Sequence, residues 1–303
     1  MKILLPFFIG IFLNAQLLDY DIKLGLSAND RPIVVNILDS KELSFKNQNI
    51  HELSALAFKD DKLYALSDMG YLYHFKIDLR NDKINSLELL KTVKLKNKKA
   101  KALKKRKSDS EGMVLVDNSL YISFERKPRV DVYSLNGEKI KKHKLEKKLR
   151  DIDNYRGKNK ALEAIAYSKN YGVVVAPEVS LKGDTKKYHT LYSKDRLFKF
   201  ISSGKLSALE FICDDTIMAL ERDFSLISFN RVITLTKIDL NACNDDLCKS
   251  ETIAKLRTSD GWKLDNFEGL TKVGENRYLM VSDDNDSFFQ KTLLVLFEIA
   301  DSN

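Results

Sequence analysis

Histidine and cysteine are scarce in this chain of 303 residues, which has four of the first and three of the second. The histidines, His51, His74, His143 and His189, share no motif, and no cysteine pattern repeats. A zinc centre, which draws on imidazole and thiolate, therefore has little to build on. A Gly-x-Ser-x-Gly elbow is missing, and so is a glycine-rich loop that could cradle a phosphate, so neither an activated-serine site nor a P-loop is indicated. Past the first fifteen residues no apolar run is long enough for a transmembrane helix. Of the cysteines, Cys213 lies in an apolar strand and is expected to be a buried free thiol. Cys243 and Cys248, four residues apart, could close a small loop in an oxidising compartment.

What is abundant is charge. Charged residues make up 31 % of the chain, 51 basic against 43 acidic, for a net +8. Much of the basic excess sits in residues 94–107, nine of which are Lys or Arg. That run reads as a solvated loop or as a collector of anions such as phosphate esters or acidic lipids. It lacks interleaved aromatics, and no nucleic-acid partner is expected. The apolar share of 44 % is that of an ordinary globular protein.

Lys2 followed by an apolar stretch over residues 3–13 and by Ala15 matches a secretory signal peptide, too short to span a bilayer. We expect residues 1–15 to be removed and residues 16–303 to form one exported domain, periplasmic or secreted, without stable membrane insertion.

One phrase recurs: a glutamate followed by small or apolar residues, at Glu52, Glu111, Glu163, Glu210 and Glu268, with intervals of 59, 52, 47 and 58 residues. After each comes a polar turn and an apolar strand ending on a second acid: Asp68, Glu125, Glu178, Glu221 and Asp283. Short strands repeating at about fifty residues are the signature of a β-propeller. The spacing predicts an all-β, closed propeller of five blades, with a sixth, degenerate blade as the alternative. Third strands are expected over residues 71–77, 130–135, 196–201, 231–238 and 293–299, and a hairpin at Asn136-Gly137 adds a fourth over residues 139–145. The last repeat runs out of chain after its third strand. The segments 22–26 and 33–38 are expected to supply its missing outer strand and so lock the ring.

A repeat made only for packing would repeat Leu or Val. This one repeats a carboxylate, and first strands line a propeller's channel, so five glutamates are expected to converge. Carboxylates that close together cannot all stay ionised without protons or a cation. An irregular cage of hard oxygens suits Ca²⁺ better than Mg²⁺, and no organic cofactor is expected. The second acids should reach the same end of the ring, where Asp283-Asp284-Asn285-Asp286 is the richest cluster. Arg126 and Arg222 each follow one of these acids and could hold a phosphate. The glutamates may be read three ways: as purely structural, as a structural metal site, or as a catalytic one.

The ordered series Glu52-Leu53-Ser54-Ala55-Leu56, Ser67-Asp68-Met69-Gly70, Asp109-Ser110-Glu111-Gly112-Met113, Ser123-Phe124-Glu125-Arg126, Leu162-Glu163-Ala164-Ile165-Ala166, Leu220-Glu221-Arg222, Asn266-Phe267-Glu268-Gly269-Leu270 and Val281-Ser282-Asp283-Asp284-Asn285 resembles the phytase-like family, also described as having an esterase-like activity of phytase. The likeness spans about residues 48–300. A fainter likeness is to calcium-activated nucleotidases, propellers whose blade-start glutamates surround a calcium ion. Both imply exported proteins acting on phosphate esters. Two departures stand out: no small residue follows Glu210, and Met69 sits where Arg is common. Two expectations follow. In one, the chain is a calcium-dependent phosphoesterase that acts as a monomer on a small anionic ester. Its metal is held by the five glutamates with Asp68, Glu125, Glu178 and Glu221, and Arg126, Arg222, Asp283 and Asp284 serve the substrate. In the other, it is a non-catalytic binding propeller with a structural calcium.

Overall fold

The computed structural model describes residues 13–23, 34–45, 50–104, 107–225 and 227–300. Most of the expected signal segment, residues 24–26 of one expected strand, and Lys105 and Arg106 of the basic run lie outside them. In chain order the strands are β1 (Leu13–Asn14), β2 (Gln16–Asp19) and β3 (Val35–Ser44); β4 (Leu53–Lys59), β5 (Lys62–Ser67), β6 (Tyr71–Asp78) and β7 (Ser86–Lys94); β8 (Ser110–Val116), β9 (Ser119–Phe124), β10 (Arg129–Ser134) and β11 (Lys139–His143). There follow β12 (Leu162–Ser168), β13 (Gly172–Pro177), β14 (Tyr188–Tyr192) and β15 (Leu197–Ile201); β16 (Lys205–Cys213), β17 (Thr216–Ser225), β18 (Asn230–Asn244) and β19 (Leu247–Arg257); and β20 (Asn266–Lys272), β21 (Arg277–Asp283) and β22 (Leu293–Ile299). The described residues form no α-helix, only short 3-10 turns.

The chain is an all-β propeller of antiparallel meanders. One sheet has the order β1-β7-β6-β5-β4, the next β11-β10-β9-β8, and a third β2-β3-β22-β21-β20. The remaining eight strands make one sheet, but β15 and β19 join its two halves through a single parallel pair, Lys199 and Leu247. The first strands close the ring: β4 neighbours β8, β8 neighbours β12, β12 neighbours β16, β16 neighbours β20, and β20 returns to β4. The N-terminal segment completes the last sheet as β3, which pairs with β22 from Leu293 opposite Glu42 to Ile299 opposite Val35.

The turns explain the meander. Asp60, Asp61 and Asp117 adopt positive φ of 48°, 60° and 54°, and Gly137 and Gly172 do so at 71° and 66°. These are residues that tolerate the left-handed region a two-residue hairpin demands. The apolar faces pack between neighbouring sheets. Met218, Leu220, Ile233 and Leu235 meet Tyr278, Met280, Val295 and Phe297, with Trp262 beside them. On the other side of the last sheet Leu279, Val281, Leu294 and Leu296 meet Leu56, Ala65, Tyr73 and Phe75.

Several expectations need correcting. Residues 197–201 form a fourth strand rather than a third, because β14 precedes them. β7 and β19 were not foreseen at all. Cys213 is exposed rather than buried: it sits at the frayed end of β16, beside a register shift. Cys243 and Cys248 face each other across β18 and β19 and are disulfide-bonded.

Candidate functional site

The first strands share a device that the phrase alone did not reveal. Each carries a β-bulge near its start: at Ser54 in β4, across Glu111 and Gly112 in β8, at Glu163 in β12, at Ser207 in β16 and at Glu268 in β20. A bulge leaves one residue unpaired and re-aims its side chain. The next residue is always small: Ala55, Gly112, Ala164, Ala208 or Gly269. At this radius the first strands crowd one another. A Cβ on Gly112 would stand 2.5 Å from the Glu163 carbonyl oxygen, and one on Gly269 would stand 2.6 Å from Val281 Cγ1. The serines stitch neighbouring first strands together, Ser54 Oγ donating to the Ser110 carbonyl at 2.9 Å and Ser207 Oγ to that of Phe267 at 3.1 Å. Below the bulges the channel is nearly filled. The space left among Ser54, Gly112, Ala164, Ser207 and Gly269 is about 10 Å³, room for about one water.

Three glutamates, not five, therefore occupy equivalent positions: Glu111, Glu163 and Glu268. The repeated phrase had been aligned two residues early in the first repeat and three late in the fourth. Glu52 precedes β4 in a left-handed conformation, φ 55°. Its backbone N–H donates to Asp284 Oδ1 at 3.0 Å, and a carboxylate oxygen lies 3.1 Å from His51 Nδ1. Its carboxyl still reaches the mouth, where it raises the pKa of Asp68. Glu210 does not come to the mouth. It lies three residues beyond its bulge, about 10 Å along the strand, and accepts the Lys272 backbone N–H at 3.3 Å. Burial pushes Glu210 up to about 7, offset by the N–H groups of Lys272 and Phe211.

The second acids also divide. Asp68, Glu125, Glu178 and Asp283 stand at the mouth. Glu221 is wholly buried between sheets, where it accepts from the N–H groups of Ser203 and Gly204 at 2.6 and 3.2 Å and from Thr236 Oγ1 at 2.9 Å, and lies 3.3 Å from His189 Nε2. It is a fixture of the fold, with no capacity left for a metal. Asp284 is occupied too: Oδ1 accepts from Glu52 and Asp286 N–H, and Oδ2 accepts from Thr292 Oγ1 at 2.8 Å.

The mouth has two halves. In one, a carboxylate oxygen from each of Asp109, Glu111 and Glu125 lies within 4.8 Å of the others. Asp109 was not among the expected site residues, although its place two before Glu111 was visible. Burial, then Glu163, Glu268, Glu125 and Asp109, raise Glu111 well above the carboxylate range. Burial followed by Asp109 pushes Glu125 up to about 8. Burial, then Glu52 and Asp109, push Asp68 up to about 8, and its Oδ1 is buried without a hydrogen-bond partner. Burial, then Glu268, take Asp283 to about 8. Arg126 is half exposed, with Nε 2.9 Å from Asp109 Oδ2.

In the other half Arg222 sits among carboxylates. Its Nη1 is 2.6 Å from Glu268 Oε1 and also donates to Asn266, while Nη2 is 3.3 Å from Glu163 Oε1 and 3.7 Å from Glu178 Oε1. Lys205 adds a pair to Glu178 at 2.9 Å. Burial opposes the Arg222 charge, yet Glu268, Glu163 and Glu178 hold its pKa above that of a free arginine. Both terminal nitrogens of Arg222 are thus engaged by the protein, while its Nε is buried without a hydrogen-bond partner.

The donors of the first half suit a hard cation. They are all oxygens, they are close, and several are pushed toward protonation, as expected of carboxylates that lack a counter-charge. They border a cleft of about 1090 Å³ lined by Asp68, Asp109, Met69 and Tyr71 and by Lys94, Lys104, Lys107, Arg126 and Lys127.

The model of a family described as "Phytase-like: Esterase-like activity of phytase" matches residues 48–286. No curated protein matches the chain in sequence. Similar solved structures include the glutaminyl cyclase of Myxococcus xanthus, 12 % identical over 88 % of this chain and 98 % of that one, with a TM-score of 0.47. The PQQ-bound aldose sugar dehydrogenase of Streptomyces coelicolor is 10 % identical over 88 % and 98 %, with a TM-score of 0.44. U3-55K is 6 % identical over 90 % and 99 %, with a TM-score of 0.47.

Proposed function

The chain belongs to the phytase-like family, and from that premise we propose that it is an exported, calcium-dependent phosphoric ester hydrolase built as a propeller of five blades. The observation that carries the proposal is the meeting of an under-compensated acid cluster with a basic cleft. Asp109, Glu111 and Glu125, with Asp68 beside them, would hold Ca²⁺. When bound, the ion would polarise a phosphoryl oxygen and lower the pKa of a bound water. Arg126, half exposed between Asp109 and the cleft, is the residue to orient the phosphate, since a guanidinium can hold it through two N–H groups. Lys94, Lys104, Lys107 and Lys127 attract the anion electrostatically. Glu163, Glu178 and Glu268 serve instead to fix Arg222, which offsets their mutual repulsion at the centre of the mouth. Export is supported by the apolar N-terminal segment and by the Cys243–Cys248 disulfide.

The test is hydrolysis of a panel of p-nitrophenyl phosphate, nucleotides and phytate, with calcium and with EDTA. Turnover that needs calcium and is lost in Glu111→Gln supports the reading. If the calcium-loaded protein hydrolyses none of them, the second reading takes over: a binding propeller with a structural ion. One observation favours that second reading, namely that Arg222 already supplies an internal cation to half of the mouth.

A further inference from the structure

Loops rising from the same rim carry apolar side chains that the fold leaves uncovered. In the loop between β17 and β18, Ile227 is 96 % and Phe229 76 % exposed, with Phe224 at its base 45 % exposed. In the loop between β21 and β22, Phe288 and Phe289 are 97 % and 92 % exposed, and their rings face each other edge-on at 5.8 Å. Single exposed apolar residues are ordinary, but two adjacent loop tips bearing them are not.

The two loops are tied together. Arg231 lies over the Phe224 ring at 5.3 Å and pairs with Asp265 at 3.2 Å. Asp265 also accepts from Gln290 Nε2 at 3.3 Å and from the Lys291 N–H at 2.8 Å, at the foot of the Phe288–Phe289 tip. The feet of the two loops are thus held together, next to the cavity that Arg222 and Phe224 both line. The opposite part of the rim is cationic. Lys104, Lys107 and Lys127 line the large cleft, and Lys160, Lys182 and Lys186 line a second hollow of about 460 Å³ beside Ser180.

We propose that this rim docks on an anionic lipid surface, the aromatic and aliphatic tips entering the headgroup layer while the lysines face acidic headgroups. Apolar insertion combined with basic attraction is the pairing that makes peripheral binding stable, since either signal alone gives only marginal association. A protein partner would call for a continuous apolar face, whereas here the apolar groups stand at the ends of narrow loops with charge around them. Docking in this pose turns the cleft toward the membrane, and it holds whether or not the cleft hydrolyses esters.

The experiment is sedimentation of the mature protein with phosphatidylcholine vesicles, alone or with about one-third phosphatidylglycerol, in EDTA so that calcium cannot bridge protein and lipid. Anionic vesicles should bind at least about tenfold more tightly than neutral ones, and raised salt should weaken that binding. Phe288→Ser/Phe289→Ser and, separately, Ile227→Ser/Phe229→Ser should each lose about tenfold or more in affinity with unchanged melting midpoints, because these side chains are largely exposed. Unaltered vesicle binding in both double variants would overturn the proposal. So would a failure to bind anionic vesicles at all, which would leave the tips to a protein partner. Glu111→Gln should bind vesicles as the parent does, so a failed hydrolysis assay and a failed docking assay are separable.

Discussion

On one side of the mouth Asp109, Glu111 and Glu125 crowd together with half-exposed Arg126 as their neighbouring cation. On the other side Glu163, Glu178 and Glu268 crowd together around Arg222. Both halves use the same bulge, the same small residue after the glutamate and the same second acid at the end of the next strand. They differ in where the neutralising charge comes from. In the Arg222 half it is part of the chain and folds with it. In the Glu111 half the chain supplies less, and protons or an ion must make up the difference; the contrast is one of degree, since burial raises Glu163 and Glu268 too, with Arg222 working against it. A ring of like charges can therefore be made asymmetric by one side chain, and that asymmetry underlies the proposal of a structural task for one half and an ion site in the other.

The hardest way to break this comparison is to remove Arg222. Arg222→Met leaves Glu163 and Glu268 buried without their counter-ion and Glu178 with Lys205 alone, and removing one partner of a buried charge network costs about 3–5 kcal/mol. Urea unfolding at pH 7.5 should show a loss of that size. A second change, Glu268→Gln, should restore part of it, because it removes one of the stranded charges. If the double variant is no more stable than the single one, the pairing is not what holds this half together.

The next test uses calcium. Glu111→Gln should abolish calcium-dependent stabilisation, which for a native-state ligand at a hundred times its dissociation constant is about 2.7 kcal/mol. Glu268→Gln should instead lower the basal stability and leave most of the calcium shift in place. Thermal melts with EDTA and with millimolar calcium separate the two outcomes. Equal loss of the shift in both variants would mean that the ring acts as one cage.

Acidity sharpens the same contrast. Asp68, Glu125 and Asp283 are held at about 8, far above the ordinary value of about 4 for an unfolded carboxyl. A carboxyl raised on folding binds its proton more tightly in the native state, so its contribution is fully present below pH 4 and is lost as pH rises through about 8. Calcium-free protein should therefore lose stability between about pH 5 and 9. Calcium affinity should rise over the same window, by up to about tenfold per pH unit for each proton displaced. Urea midpoints across that range, with and without calcium, are the measurement. A calcium-free midpoint that climbs steadily with pH would contradict the assignment.

Much of this architecture was legible beforehand, because hairpin turns and buried inner strands write strong patterns. Asp60-Asp61 and Asn136-Gly137 announced their turns, and the apolar runs of β5, β9, β13, β17 and β21 announced their strands. The N-terminal segment was expected in the last sheet and pairs there as β3. Two of the outer strands were not legible. β7 and β19 are partly exposed, so Ser86–Lys94 and Leu247–Arg257 mix polar and apolar residues without clean alternation. The ring itself was misaligned because a bulge breaks the period on which alignment relies. Glutamate was followed as the mark of the position, whereas the constant mark is the small residue after the bulge. Ser54-Ala55 and Ser207-Ala208 carry that mark, and Glu52 and Glu210 do not. Nor could the sequence say that Arg222 would turn inward while Arg126 stays half exposed, since both simply follow an acid.

The smallest expected effect tests that realignment most directly. Glu210 looks like its counterparts in sequence, yet its carboxylate accepts the Lys272 N–H and takes no part in the mouth. With a pKa of about 7, raised chiefly by burial, it is partly protonated under ordinary conditions. Glutamine reproduces the shape of the protonated form and can still accept that hydrogen bond through its carbonyl oxygen. Glu210→Gln should therefore change stability by no more than about 1 kcal/mol and leave the calcium shift untouched, in contrast to Glu111→Gln. The same pair of melts reads both. Should Glu210→Gln erase the calcium shift as Glu111→Gln does, the five-glutamate ring would be restored and the bulge would no longer define the site.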